Sequence, residues 1–173
     1  TDSGSVTING TGITLSDGLV ATSSSSNTIT TGSGAVTVSG IGIRGGSGTG
    51  ILAGVGGSNS ITTDSGNVTV SGTGAAFGRG MFATDGHSTV TTTSGEVKVS
   101  GSGADSGCGM YANYDDANTI ESTINSPLTV TITASADTAE KAIAMWAEGG
   151  GSVNRITGHS QAGGTGDSIT LRS

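Results

Sequence analysis

Ser65-Gly66-Asn67-Val68-Thr69-Val70 is the stretch on which the reading of this chain turns. The same pattern stands earlier as Ser3-Gly4-Ser5-Val6-Thr7-Ile8 and Ser33-Gly34-Ala35-Val36-Thr37-Val38, and later as Ser94-Gly95-Glu96-Val97-Lys98-Val99. Looser copies follow at Leu128-Thr129-Val130-Thr131-Ile132 and Asp167-Ser168-Ile169-Thr170-Leu171. Counted from Val6, the intervals are 30, 32, 29, 33 and 39 residues. Self-similarity at such a period is the signature of a solenoid. Within each copy the apolar residues alternate with polar ones, which places Val6 and Ile8 on one face of a strand and Thr7 on the other.

Each interval carries two further apolar pieces. The second is Gly18-Leu19-Val20-Ala21, then Gly50-Ile51-Leu52-Ala53, Gly80-Met81-Phe82-Ala83, Gly109-Met110-Tyr111-Ala112 and Ala144-Met145-Trp146-Ala147. The third is centred on Ile29, Ile61, Val90, Ile120 and Ile156. Gly, Ser, Asn and Asp separate the pieces and allow tight corners. Strands this short gain stability only by stacking on their equivalents, about 4.8 Å apart. The expected fold is therefore all-β: a right-handed parallel β-helix with three short strands per coil, about 30 residues per coil and five to six coils. Residues 1–173 would form a single β-helix segment, with Ala139-Glu140-Lys141-Ala142 as its one helix-compatible stretch. Asn27, Asn59, Asn118 and Asn154 recur two residues before the inward residue of the third piece, and are expected to stack as a corner ladder.

Composition limits the functions open to the chain. Gly, Ser and Thr make up about half of its 173 residues, yet 32% are hydrophobic and regularly spaced, unlike a flexible linker. Thirteen acidic residues against six basic ones give a net charge of −7, which opposes nucleic-acid binding. No run approaches the ~18 apolar residues of a membrane-spanning helix. A single cysteine, Cys108, excludes an internal disulfide framework. Thr1 opens neither a signal peptide nor a Met-initiated chain, and no polar cap closes either end, so a segment of a larger protein is expected.

The succession Ser-Gly-x-Val-Thr-Val, Gly-Met-Tyr-Ala and Asn-Thr-Ile resembles the passenger domains of classical autotransporters, of the pertactin-like and self-associating adhesin type. The resemblance runs along the whole chain. It implies a right-handed β-helix displayed outside the outer membrane of a Gram-negative bacterium, with no cofactor and no membrane insertion by this segment. The implied function is a non-catalytic extracellular rod for adhesion or self-association. Its partners would be other copies, docked laterally or end to end, or a glycan or protein on a host or neighbouring cell.

Residues with possible chemistry are few. Asp115, Asp116 and Glu121 supply carboxylates within seven residues and form a weak calcium candidate; a solvated corner is the simpler reading. Gly163-Gly164-Thr165-Gly166-Asp167 matches a calcium nonapeptide only loosely and does not recur. Gly45-Gly46-Ser47-Gly48-Thr49-Gly50 lacks the lysine and helix of a phosphate loop. His87 and His159 sit among small polar residues, and no nucleophile elbow accompanies them. No enzyme activity is expected. The alternatives are a segment of a β-helical polysaccharide-processing enzyme and an ice-binding solenoid with flat threonine rows, which Lys98, Glu121 and Arg155 would interrupt.

One feature stands out as a binding surface. If Leu19, Ile51, Met81, Met110 and Met145 face the core, then Val20, Leu52, Phe82, Tyr111 and Trp146 face outward. That ladder is apolar in every coil and becomes aromatic toward the C-terminus. Exposed apolar stripes of this kind mark interaction surfaces.

Overall fold

The computed structural model describes residues 1–44, 46–123, 126–137, 141–158 and 167–173. His159, Gly163–Gly166, Ala139, Glu140 and Gly45, named above, lie outside them. Among the described residues the regular elements are fourteen strands: β1 (Val6–Gly12), β2 (Leu15–Ala21), β3 (Ser26–Thr31), β4 (Val36–Gly42), β5 (Ser47–Thr63), β6 (Val68–Gly74), β7 (Phe77–Thr92), β8 (Glu96–Gly103), β9 (Ser106–Asn113), β10 (Ala117–Ser122), β11 (Thr129–Ser135), β12 (Ala142–Glu148), β13 (Val153–Thr157) and β14 (Ser168–Arg172). All their pairings are parallel, and they stack as a β-solenoid of about five turns with roughly 32 residues per turn.

The repeated Val-Thr-Val motif forms the first wall, in the order β1-β4-β6-β8-β11-β14. Its register is the one the repeat dictates: Val6 lies beside Val36, then Val68, Val97, Val130 and Ile169. Val36, Val68 and Val97 are fully buried, and Val130 nearly so. The inward rows of the other walls complete the core: Ile51, Met81 and Met110 from the second, Ile61, Val90 and Ile120 from the third.

The second and third walls are less separate than the sequence suggests. In coils 2 and 3 they merge into single long strands, β5 and β7, which pass through the corner with only a shift in register between Gly54 and Gly57. The corner is made by residues in the left-handed region: Val55 and Gly56 in coil 2, Asp85 in coil 3, Tyr114 and Asp115 in coil 4. Coil 3 is one residue short here. Asp85 alone stands opposite Val55-Gly56. Asp116 of the next coil completes the shortened corner, its carboxylate accepting from the backbone N–H groups of Asp85 and Gly86.

Elsewhere the first and second walls approach through glycine. A Cβ on Gly40, Gly72 or Gly101 would collide with the carbonyl oxygen of Thr49, Arg79 or Cys108 respectively. From the opposite wall, Gly48, Gly78 and Gly107 bear the same relation to Thr73, Ser102 and Ser135. The two walls thus touch backbone to backbone, which no other residue permits. In the last coil Ala134 and Ala142 replace Gly101 and Gly107 together.

The return to the first wall is closed by a buried threonine. Thr31 and Thr63 donate from Oγ1 to the carbonyls of Gly34 and Gly66 (2.7 and 2.9 Å), and Thr92 Oγ1 accepts from the Gly95 N–H. This is why Thr-x-x-Gly precedes the first four copies of the repeated motif.

The asparagine ladder forms in two segments. Asn27 Nδ2 donates to Asn59 Oδ1, and Asn118 Nδ2 to Asn154 Oδ1, both at 3.0 Å. Asn59 and Asn118 also donate to the carbonyls of Leu52 and Tyr111. Ser88 occupies the rung between Asn59 and Asn118, and it is too short to bridge them. Ser88 Oγ and Asn118 Oδ1 are left buried without partners. Ser88→Asn is therefore expected to join the segments. One or two recovered hydrogen bonds at ~1 kcal/mol each would raise the melting temperature by about 2–4 °C per kcal/mol. A melting temperature at or below that of the parent would show that the short coil 3 corner holds residue 88 out of line.

Candidate functional site

The second wall presents three outward rows. Ser47, Phe77 and Ser106 align in the first; Thr49, Arg79, Cys108 and Ile143 in the next; Val20, Leu52, Phe82, Tyr111 and Trp146 in the third. The third row is the apolar ladder expected from the sequence, in unbroken register. Its exposure is uneven. Val20 and Trp146 are 43% and 39% exposed, whereas Tyr111 is only 8% exposed because its neighbours cover its faces. Phe82 and Tyr111 stack with centroids 5.0 Å apart, and Tyr111 and Trp146 at 4.9 Å.

The neighbouring rows hold side chains that sequence patterning did not single out. The Arg79 guanidinium lies 4.7 Å from the Phe82 centroid, 5.4 Å from Tyr111 and 5.7 Å from Phe77, all within cation–π range. Burial pushes its pKa down, opposed chiefly by Tyr111 and Cys108 and then by Asp17. Asp17 is not a close partner: the register Asp17–Thr49–Arg79 puts it two coils away, about 10 Å at the spacing of paired strands. The ion pair found among the described residues is Lys98–Glu96, on the first wall.

Coil 4 carries small residues in two of these rows, Ser106 and Cys108. Coil 3 carries Phe77 and Arg79 at those positions, and coil 5 has Ile143 beside Cys108 and Lys141 beside Ser106, whose hydroxyl donates to the Lys141 carbonyl. The result is a trough of about 580 Å³ lined by Phe77, Arg79, Asp105, Ser106, Tyr111, Lys141, Ile143 and Trp146. The Gly-x-Gly spacing of Phe77-Gly78-Arg79-Gly80, aligned on Gly109-Met110, would have revealed the rows. Register, not motif, was the missing signal.

Tyr111 lines the trough, and Cys108 is buried in the row between Arg79 and Ile143. The Tyr111 phenol donates to Glu148 Oε2 at 2.8 Å. Burial first, then the Glu148 carboxylate, pushes the phenol up to about 12; burial pushes the Cys108 thiol to about 12. Both groups stay protonated in the fold and ionise more readily in the unfolded chain, at their ordinary values of 10.0 and 9.0. The stability they contribute is complete below pH 9 and is lost as pH rises toward 12. Melting temperature is expected to hold from neutrality to pH 8.5 and then fall progressively. At pH 8 the thiol should resist an aromatic disulfide reagent until the chain is unfolded. Labelling of the native protein at a free-thiol rate would contradict this.

The three carboxylates considered for calcium serve separate tasks. Asp116 is buried against the coil 3 backbone; burial pushes its carboxyl up, and the two N–H donors act against that. Asp115 stands exposed on the left-handed corner. Glu121 accepts from Thr91 Oγ1 at 3.2 Å on the third wall. Among the described residues no three His, Cys, Asp or Glu side chains are grouped to hold a metal ion. His87 is exposed beside a hollow of about 210 Å³ that Asp85, Asp115 and Asp116 also line. Ser47–Gly50, from the glycine-rich stretch, belong to β5. Threonine rows cover the first and third walls, broken by Lys98, Glu121 and Arg155 at the rungs expected. Compared with family models, curated proteins and solved structures, the chain matches none of them.

Proposed function

We propose that this chain is a non-catalytic extracellular rod that mediates adhesion or self-association at a bacterial surface, in the manner of an autotransporter passenger segment. The observation that carries this reading is the outward Val20–Leu52–Phe82–Tyr111–Trp146 ladder, held in register over five coils. Side chains repeated at a fixed spacing let weak contacts add, so a rod can attach without any single strong site. Apolar side chains left open along such a row, as Val20 and Trp146 are, suit a partner's surface. The partner is another copy of the chain, or a glycan or protein on a host or neighbouring cell. The commitment of Asp116 and Glu121 to contacts within the chain favours this over a polysaccharide-processing site, and the charges on the threonine rows favour it over ice binding.

The test is to display the chain on a non-adherent bacterium and compare it with Phe82→Thr/Tyr111→Thr/Trp146→Thr. Threonine suits an outward strand position, and circular dichroism reports whether the rod persists. Loss of cell settling or surface attachment with the fold retained is the expected result. Attachment and light-scattering mass both unchanged would overturn the reading.

A further inference from the structure

We propose that the trough of coils 3 to 5 is a binding site for an oligosaccharide bearing uronic acid residues, with Arg79 and Lys141 receiving the carboxylate and the neighbouring rings receiving the sugar faces. The proposal rests on the adhesive reading and specifies a ligand for it.

The trough exists because coil 4 leaves out two side chains. Ser106 and Cys108 sit where the coils on either side carry Phe77 with Arg79, and Lys141 with Ile143. One side of the gap therefore carries Arg79 and the other Lys141, whose carbonyl accepts from Ser106. Two cations flanking one cavity in a chain of net charge −7 run against its overall composition. Arg79 is the more telling. It is half-buried against three rings, and among the described residues no carboxylate oxygen, that of Asp105 on the same lining included, lies within 4.0 Å of it. Its remaining attraction is to Asp17, about a Debye length away at physiological salt. A charge held partly out of water without a counterion is stabilised by any anion that enters, and a guanidinium takes a carboxylate with two parallel hydrogen bonds.

The rest of the lining selects the molecule that carries the anion. Phe77 and Trp146 are exposed, and Tyr111, stacked on Trp146, lines the trough with them. Aromatic surface beside polar side chains suits a pyranose, which has an apolar C–H face and hydroxyl edges. Asp105 and Ser106 supply an acceptor and a hydroxyl on the same lining, and the Asp105 charge turns the ligand carboxylate toward Arg79. A peptide is disfavoured because β7, β9 and β12 already pair with one another beneath the trough, and the one unpaired edge, that of β12, lies at the end of the sheet beyond it. The volume of about 580 Å³ falls in the ordinary range of small-ligand clefts.

The experiment uses the whole chain and its single tryptophan, Trp146, which lines the trough. Trp146 emission is followed during titration with tetragalacturonate and, in parallel, with maltotetraose as a neutral tetrasaccharide. The expected result is a saturable change with the acidic sugar and at least about tenfold weaker binding of the neutral one. Arg79→Gln should weaken acidic-sugar binding by about tenfold, and raising salt should weaken it in the parent. Ser106→Phe fills the trough from an outward position, leaves Arg79 in place and should abolish the response. Lys141→Gln, an exposed change, should weaken it severalfold. No saturable response at about 10 mM, equal responses to both sugars, or binding that survives both Arg79→Gln and Ser106→Phe would each overturn the proposal. So would a dimer by light scattering that Ser106→Phe dissolves while sugar has no effect, since the occupant would then be a second copy. The adhesive reading fails separately, by its attachment assay. A rod that still settles cells but ignores tetragalacturonate refutes only the ligand.

Discussion

Replacing Gly72 with valine is expected to abolish the folded rod. Gly72 lies in β6 where the first wall meets the second, and a side chain there would overlap the carbonyl oxygens of Arg79 and Gly48. Both obstacles are backbone in paired strands, so neither can turn aside as a side chain would. The walls must separate, and separation breaks the same contact at Gly40 and Gly101 in the adjoining coils. Overpacking a core ordinarily costs about 1–3 kcal/mol. A rigid backbone clash that spreads to neighbours belongs to the exceptional class above ~4 kcal/mol. Far-ultraviolet circular dichroism and a urea midpoint would measure it, with Gly72→Ala giving an intermediate loss. A Gly72→Val protein that melts with the parent would mean that the walls are not in contact.

Val68→Asp is the second large effect. Val68 is fully buried between Val36 and Val97 in the inward row of the first wall. The carboxylate would have no cation within the stack. An uncompensated charge in such a site costs several kcal/mol, whether it stays ionised or takes up a proton. Because each coil rests on its neighbours, the central coils should melt first and leave the ends without a shared core. A soluble Val68→Asp protein with the parent's circular dichroism would show that this row faces outward.

The parts of the fold legible from sequence are those set by period and alternation. Val6, Val36, Val68 and Val97 share a rung because their spacing repeats, and their facing follows from the two-residue pleat. The same logic placed Phe82, Tyr111 and Trp146 on one outward row. What was not legible depends on where the chain bends. Val55 is a β-branched residue in the left-handed region, a conformation its sequence does not advertise. Through it β5 runs on around a corner where two separate strands were expected. Asp116 read as a solvated turn or a calcium ligand. Its actual task arises from one missing residue in coil 3, thirty positions earlier. Arg79 went unmarked because a lone arginine between glycines has no motif. Its surroundings appear only when Ser106 and Cys108 are laid beside Phe77 and Arg79 on the next coil.

The pairing of every coil with the next has a mechanical side. In a parallel solenoid the backbone hydrogen bonds of the walls point along the rod, from coil to coil. Tension applied between the two ends opens one turn's bonds in sequence and does not shear all of them at once. A folded turn adds about 4.8 Å to the length. The same turn, roughly 32 residues, drawn out straight would add ~100 Å. Pulled this way, the rod lengthens about twentyfold in discrete steps, each dissipating work. Force–extension traces of the single molecule should show about five such steps of nearly equal length.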